Sequence, residues 1–212
     1  HVADGWAELV TLSHEMMMNL AAFTAGVDRP LGTRAETLRL YDYLMLFIQG
    51  ATLAHHTGDR DAVRAQVAAA LVDFDGEFLA PSIQRRRSLL DAVARGELDD
   101  EVLPHDVLTT LMRHEDELPL APDVTLREIS FFLLAGAHTS ATAFVRTLHH
   151  VFEMAGDGSA DFERACTDPV FLQRCVHETV RLQPSSPVAM RWALQDVELP
   201  GGVLVPRGAR LT

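Results

Sequence analysis

Apolar positions recur every three to four residues along most of the chain, the period of an amphipathic helix. Residues 2–25 place Trp6, Leu9, Val10, Leu12, Met16, Met17, Leu20 and Phe23 on one broad face. Asp28 and Pro30 interrupt it within Val27 to Leu31. Thr33 followed by Glu36 is a capping-box pattern and predicts a second helix, to about His55. Thr57-Gly58-Asp59 reads as a turn. Asp59 then caps a long third helix carrying Val63, Val67, Leu71, Phe74 and Phe78, which Pro81 must kink or restart. Residues 95–101 are a polar, acidic loop, a short helix follows near Asp106 to His114, and Asp116 to Asp123 is another loop.

Thr125 and Glu128 repeat the capping-box spacing and predict the start of an apolar helix running to about Met154, some 30 residues or about 45 Å. Gly156 to Ser159 is a loop. Asp168-Pro169 is a cap followed by proline at the first helical position, and the helix it opens stops at about Leu182, before Pro184. The period then changes. Val188 to Leu194, Val197 to Leu199 and Val203 to Val205 are short β-type runs, with Pro200-Gly201-Gly202 as a turn. The pattern is mainly α with a small C-terminal β region, in 212 residues, enough for one sizeable domain or two small ones.

Composition narrows this picture. The chain is 48% hydrophobic and 23% charged, ordinary for a globular protein, and its net charge of -12 argues against nucleic acid as a partner. The one basic cluster, Arg85-Arg86-Arg87, reads as a solvated helix face. Cys166 and Cys175 are too few and too far apart for a disulfide scaffold or a metal finger, and read as buried thiols in a reducing, cytoplasmic setting. No run of eighteen apolar residues and no signal-peptide pattern occurs, so no transmembrane segment is expected. The chain opens at His1 and ends at Thr212 inside strand-like sequence, so a piece of a longer protein is expected.

Residues 134–142, LAGAHTSAT, break the rules of the helix they sit in. Gly136 costs a helix interior about 1 kcal/mol relative to alanine. Thr139 stands four residues after Ala135, where its hydroxyl reaches the Ala135 carbonyl and bends the helix locally. One reading is a ligand-facing groove, with His138 and Thr139 beside it handling protons. The other is a helix–helix contact in which the missing side chain permits close approach. Glu178 and Arg181, three apart, share a helix face as an ion pair, and neighbouring Val176, Val180 and Leu182 point to partial burial. His55-His56 and His149-His150 are adjacent pairs that point apart, and no i, i+4 histidine pair with a supporting carboxylate occurs, so no metal site made of this chain's residues is expected. The Met16-Met17-Met18 run and the aromatics Tyr41, Tyr43 and Phe47 read as core rather than pocket lining.

In this order the motifs resemble the cytochrome P-450 family. LLAGAHTSATA (133–143) is similar to that family's long central helix, with its A/G-G-x-acid-T-T/S pattern. VHETVRLQPSSP (176–187) is similar to its E-x-x-R helix and proline-rich turn, TDPVFLQRC (167–175) to the lead-in, and AMRWALQDVELPGGVLVPRGARL (189–211) to the following strands. The match covers roughly 125–212. Upstream it rests on helix pattern and FDGEFLAPSIQRRRSLLDAV (74–93). The resemblance implies an incomplete P-450-like domain: upstream helices over 1–124, the central helix over 125–155, the E-x-x-R helix over 168–183 and strands over 188–212.

It further implies a portion of a haem-dependent monooxygenase that inserts one atom of dioxygen into a small apolar molecule, with b-type haem in the parent protein and electrons from a ferredoxin- or flavoprotein-type redox partner. Ala135 and Gly136 would border the haem and the dioxygen groove. Thr139 would help deliver protons to dioxygen, Arg191 would contact a haem propionate, and Glu178 with Arg181 would be a buried structural pair. Two departures stand out. His138 occupies the position of the usual acid, a variant reminiscent of sterol 14-demethylases, and an imidazole still relays protons near neutrality. The family's thiolate cysteine lies in a glycine-containing loop after the strands, and neither Cys166 nor Cys175 has that context, so this stretch alone is expected to be inactive. The alternatives are a truncated or degenerate relative that only binds a small apolar ligand or a protein partner, and an all-α ligand-binding or regulatory domain.

Overall fold

The computed structural model describes residues 8–53, 56–156 and 158–211; Trp6 and His55 lie outside them. The chain divides into two compact units, 1–145 and 146–212.

In the first unit, α1 (Leu9–Ala25) opens on Glu8, whose carboxylate accepts from the Val10 and Thr11 amides. It closes at Gly26, with φ +90°, where the Gly26 and Val27 amides both reach the Ala22 carbonyl. The Thr33–Glu36 capping box forms as predicted and starts α2 (Arg34–Ala51), which stops short of His55. Asp59 caps α3 (Arg60–Phe74) by accepting from the Asp61 and Ala62 amides. The break at Pro81 takes a specific form. Residues Asp75–Leu79 make one π-helical turn, in which the Ala80 amide reaches five residues back to Asp75, and α4 (Ala80–Ala94) then resumes with proline in its first turn. A proline ring collides with the carbonyl four residues before it, and the wider turn precedes it here.

A short 3₁₀ turn (Asp100–Val102) leads to α5 (Val107–Arg113), whose Asp106 cap accepts from the Thr109 amide at 2.7 Å. The central helix α6 (Pro122–Gly156) starts earlier than Thr125 predicts. The Ala121 carbonyl takes the first helical bonds, from Val124 and Thr125, and the Thr125 hydroxyl bonds that carbonyl instead of capping. Pro122 at the first position, with φ already helical and no N–H to satisfy, accounts for the shift.

The core of this unit joins Met18 and Ala22 of α1, Leu40, Tyr43, Leu44 and Phe47 of α2, Phe74, Phe78, Leu79, Leu108, and Ile129, Leu133 and Ala137 of α6. Tyr43, Phe47, Phe74 and Phe78 meet largely edge to face, with ring centroids 5.6–6.3 Å apart, so Tyr43 and Phe47 are core as expected. In length and apolarity α6 also meets the measure of a membrane-crossing helix, unlike the expectation from unbroken apolar runs, yet its Ile129–Leu133–Ala137 stripe is packed inside.

The Arg85–Arg87 cluster is a solvated face at Arg85 and Arg87, whose side chains are 58% and 49% exposed, but not at Arg86. The Arg86 side chain is 3% exposed and bonds Asp106 at 2.6 Å and Asp28 at 3.1 Å, with further bonds to the Ser82 carbonyl and the Thr109 hydroxyl. Arg85 pairs with Asp28 and Arg87 with Glu115. Two of the acidic partners, Asp28 and Asp106, are 58 and 20 residues from Arg86 in sequence, so local pattern did not show them.

The second unit holds the end of α6, then α7 (Ala160–Thr167), α8 (Pro169–Leu182) and four short strands. Helix α7 is not foreseen by the periodicity; eight residues with one buried position, Ala165, give too little pattern. Asp168 caps α8 as predicted. β1 (Arg191–Trp192) pairs antiparallel with β4 (Arg210–Leu211), and β2 (Val197–Leu199) with β3 (Val203–Val205) in the register Val197 to Val205, Glu198 to Leu204 and Leu199 to Val203. Pro200 and Gly201, the latter with φ +98°, turn the second hairpin, and the Gly202 amide closes it on the Leu199 carbonyl at 3.1 Å.

Candidate functional site

At 100° per residue, Phe131, Ala135, Thr139 and Phe132 fall within one arc of α6 about 100° wide, while Ile129, Leu133, Ala137 and Ala141 lie on the opposite side. The second set is buried; Phe131 and Phe132 are 58% and 41% exposed, and Ala135 and Thr139 are half-buried. Glu128 and Thr142 fall on the same arc to either side, and between them it is apolar apart from the Thr139 hydroxyl. That hydroxyl donates to the Ala135 carbonyl at 2.7 Å, the i−4 bond the spacing predicts. The helix remains α-helical through it rather than opening. Gly136 is turned elsewhere. A Cβ built on it would stand 3.4 Å from Cβ of Ala21 on α1, an ordinary contact distance, so Gly136 lies on the α1-facing side of α6 rather than in the groove.

His138 is exposed on the other flank of Ala135. Its ring stacks on His14 of α1, centroids 5.7 Å apart and planes 20° apart. His14 in turn meets Tyr41 of α2 at 5.2 Å. Sequence reasoning missed His14; residue 14 is 124 positions from its partner and carries no motif.

In the second unit, Glu178 and Arg181 form a two-pronged ion pair, with bonds of 2.7 and 2.6 Å. The guanidinium holds the Glu178 carboxyl below its usual range. Burial, however, is corrected: the two side chains are 55% and 66% exposed, and Val180 and Leu182 beside them are exposed too, because no described residue packs over that face of α8. The buried polar residue of α8 is Thr179, whose hydroxyl lies 3.3 Å from Nδ1 of His150 on α6. Arg146, another residue no motif marked, donates to the Gln183 and Pro184 carbonyls just past α8 at 2.7 and 2.8 Å. Arg191 is exposed on β1 and donates to the Met190 carbonyl at 2.9 Å. Cys175 is half-buried, and Cys166 is exposed, against the expectation of two buried thiols; the short α7 buries Ala165 and turns its neighbour outward.

No family model matches the chain. Human cytochrome P-450 4F2 is 25% identical over 174 residues, 70% of this chain and 32% of its own length. The cytochrome P-450 monooxygenase milC of Cordyceps militaris is 32% identical over 123 residues, 53% of this chain and 22% of that protein. The solved ligand-free structure of cytochrome P-450 TbtJ1 superposes with a TM-score of 0.60 at 19% identity, over 93% of this chain and 45% of that one. These relatives and this solved structure are all cytochromes P-450, and the chain is similar to part of such a protein. It spans about a third of the length of the human P-450 relative. Its mainly helical architecture with a small β region is that of a P-450-like fold.

The likeness to cytochromes P-450 points to haem as the group to be fitted. The open arc of α6 fits the non-ligating side of such a group. Ala135, Phe131 and Phe132 offer carbon to a flat apolar macrocycle, and Thr139 offers a hydroxyl at its edge. The exposed Arg191 guanidinium, a planar fork of donors, fits a carboxylate.

Proposed function

We propose that this stretch is the central part of a haem-dependent monooxygenase, whose parent inserts one atom of dioxygen into a small apolar molecule with electrons from a ferredoxin- or flavoprotein-type partner. The observation that carries the reading is the open Ala135–Thr139 arc, on a central helix whose opposite side is core. The Cordyceps relative, named a monooxygenase, supports it.

In this proposal Ala135 and Thr139 of the first unit would face the haem, Gly136 lies on the α1-facing side of α6, and Arg191 of the second unit, taken by itself, would suit a propionate. Haem, when bound with a cysteine thiolate supplied by the parent, provides the iron chemistry of dioxygen activation. The remaining roles belong to this chain. The Thr139 hydroxyl is tethered to the Ala135 carbonyl, so a rotation about its Cα–Cβ bond releases its proton toward the groove and lets its oxygen accept another. His138, exposed and one residue away, points about 100° round the helix from Thr139, so any exchange between the two runs through water. The apolar arc of Phe131, Phe132 and Ala135 excludes bulk water from the same place and accepts an apolar substrate.

The test is the spectrum of the reduced, CO-treated parent loaded with haem. The red-shifted Soret band of thiolate-ligated haem is expected, and a haem-loaded parent without it rejects the proposal in favour of a ligand-binding relative.

A further inference from the structure

His138 stands where the family pattern has an acid, and it does not stand alone. Its ring lies nearly parallel to that of His14 at 5.7 Å, and Tyr41 closes the far side of His14 at 5.2 Å. Three rings from three helices, α6, α1 and α2, form one short stack, exposed at the His138 end and half-buried at His14 and Tyr41. Two stacked imidazoles tolerate one proton well, since a cation over a neutral π-face is attracted to it. A second proton places two like charges at ring-stacking distance and is opposed.

We propose that His14 and His138 titrate as one unit that stores a single proton beside Thr139, with His14 as the positioning residue. This rests on the oxygenase reading for its purpose, but not for its physics. Burial lowers the affinity of His14 for a proton, the charge of His138 lowers it further, and Glu8 at the start of α1 partly offsets both. Tyr41 is the group facing His14 from α2. Glu15, next on α1, is engaged by Arg34 of α2 at 2.5 Å, which offsets its charge locally. The pair therefore holds one proton, and a second on His14 is opposed.

The test is an NMR titration of the histidine ring signals in the wild-type chain, in His14→Phe, which keeps a ring without charge, and in His138→Gln. Coupling predicts that His138→Gln raises the midpoint of His14, the more buried of the two, by roughly half to one pH unit, three- to tenfold in proton affinity. A His14 midpoint that ignores His138→Gln overturns the proposal. If His14→Phe unfolds the chain, His138→Gln, at an exposed position, still reports whether His14 feels its partner. The measurement needs no haem. Independent titration therefore leaves the oxygenase reading standing, and a parent without the thiolate-haem band leaves the coupling standing.

Discussion

Asp106→Ala is the substitution whose cost is best defined by the structure. Asp106 has two jobs. Its carboxylate caps α5 through the Thr109 amide at 2.7 Å, and it neutralises Arg86, both side chains being 3% exposed. Breaking a buried ion pair from one side costs about 3–5 kcal/mol, because the surviving charge stays buried. Loss of the cap contributes about 1 kcal/mol. Asp28 still holds Arg86 at 3.1 Å and offsets part of the penalty, so the lower end, about 3 kcal/mol, is the expected loss. Against a total of about 5–15 kcal/mol this is a large fraction. With a urea slope of about 2 kcal/mol per molar, the unfolding midpoint falls by about 1.5 M. Asp106→Asn, which keeps the cap, separates the two parts. Combining it with Arg86→Met removes both charges and should recover much of the loss, since a buried pair replaced whole is often neutral. If Asp106→Asn alone shifts the midpoint no more than Arg34→Ala does at the exposed Glu15 pair, the claim that burial makes this pair costly to break is wrong.

Four further outcomes are expected. Gly26→Ala should cost about 2 kcal/mol or more in thermal unfolding, since Gly26 has φ +90° and a Cβ there would stand 2.6 Å from both Asp106 Oδ1 and Leu108 Cβ; an unchanged melting temperature would contradict that geometry. Arg181→Leu should leave the urea midpoint of residues 1–212 at the wild-type value, because the Glu178 pair is exposed, and a large fall would mean the pair is buried after all. Burial first, and Glu77 next, push the Tyr43 phenol up to about 12. The folded state thus favours the neutral ring: that stability is complete below the ordinary phenol value of about 10, declines as pH rises through 12, and the late phenolate absorbance step should vanish in Tyr43→Phe. In the parent enzyme Thr139→Ala should keep haem yet consume electrons without matching product, and fully coupled turnover would remove Thr139 from the proton path.

Local signals were legible where the interaction itself is local. The Thr33–Glu36 box, the Asp59 and Asp168 caps, the Pro200-Gly201 turn and the Thr139-to-Ala135 bond all span five residues or fewer, and each stands in the structure as its spacing predicts. Thr125 failed because a competing local signal, Pro122, came first. What pattern did not show was partnership across the chain. Arg86 looked like one of three surface arginines until Asp28 and Asp106 folded against it, and His138 looked like an isolated substitution until α1 delivered His14. Burial of Glu178 and Arg181 rested on apolar neighbours of which Val180 and Leu182 are themselves exposed, since apolar residues mark a face without saying whether anything covers it.

The π-turn at Asp75–Leu79 has a consequence for heredity as much as for geometry. Phe74, Phe78, Ser82 and Arg86, each four residues after the last, are all buried. In an uninterrupted α-helix a four-residue step overshoots a full turn by about 40°, so three steps carry Arg86 about 120° round from Phe74. One extra residue taken up in a wide turn returns about 100° of that and draws the four side chains into a nearly straight line. The turn is thus a phase correction, worth one codon. Deleting the exposed Gly76, which no neighbouring atom crowds, would make the helix more regular and the protein worse, by swinging the Arg86 guanidinium away from the two acids that hold it.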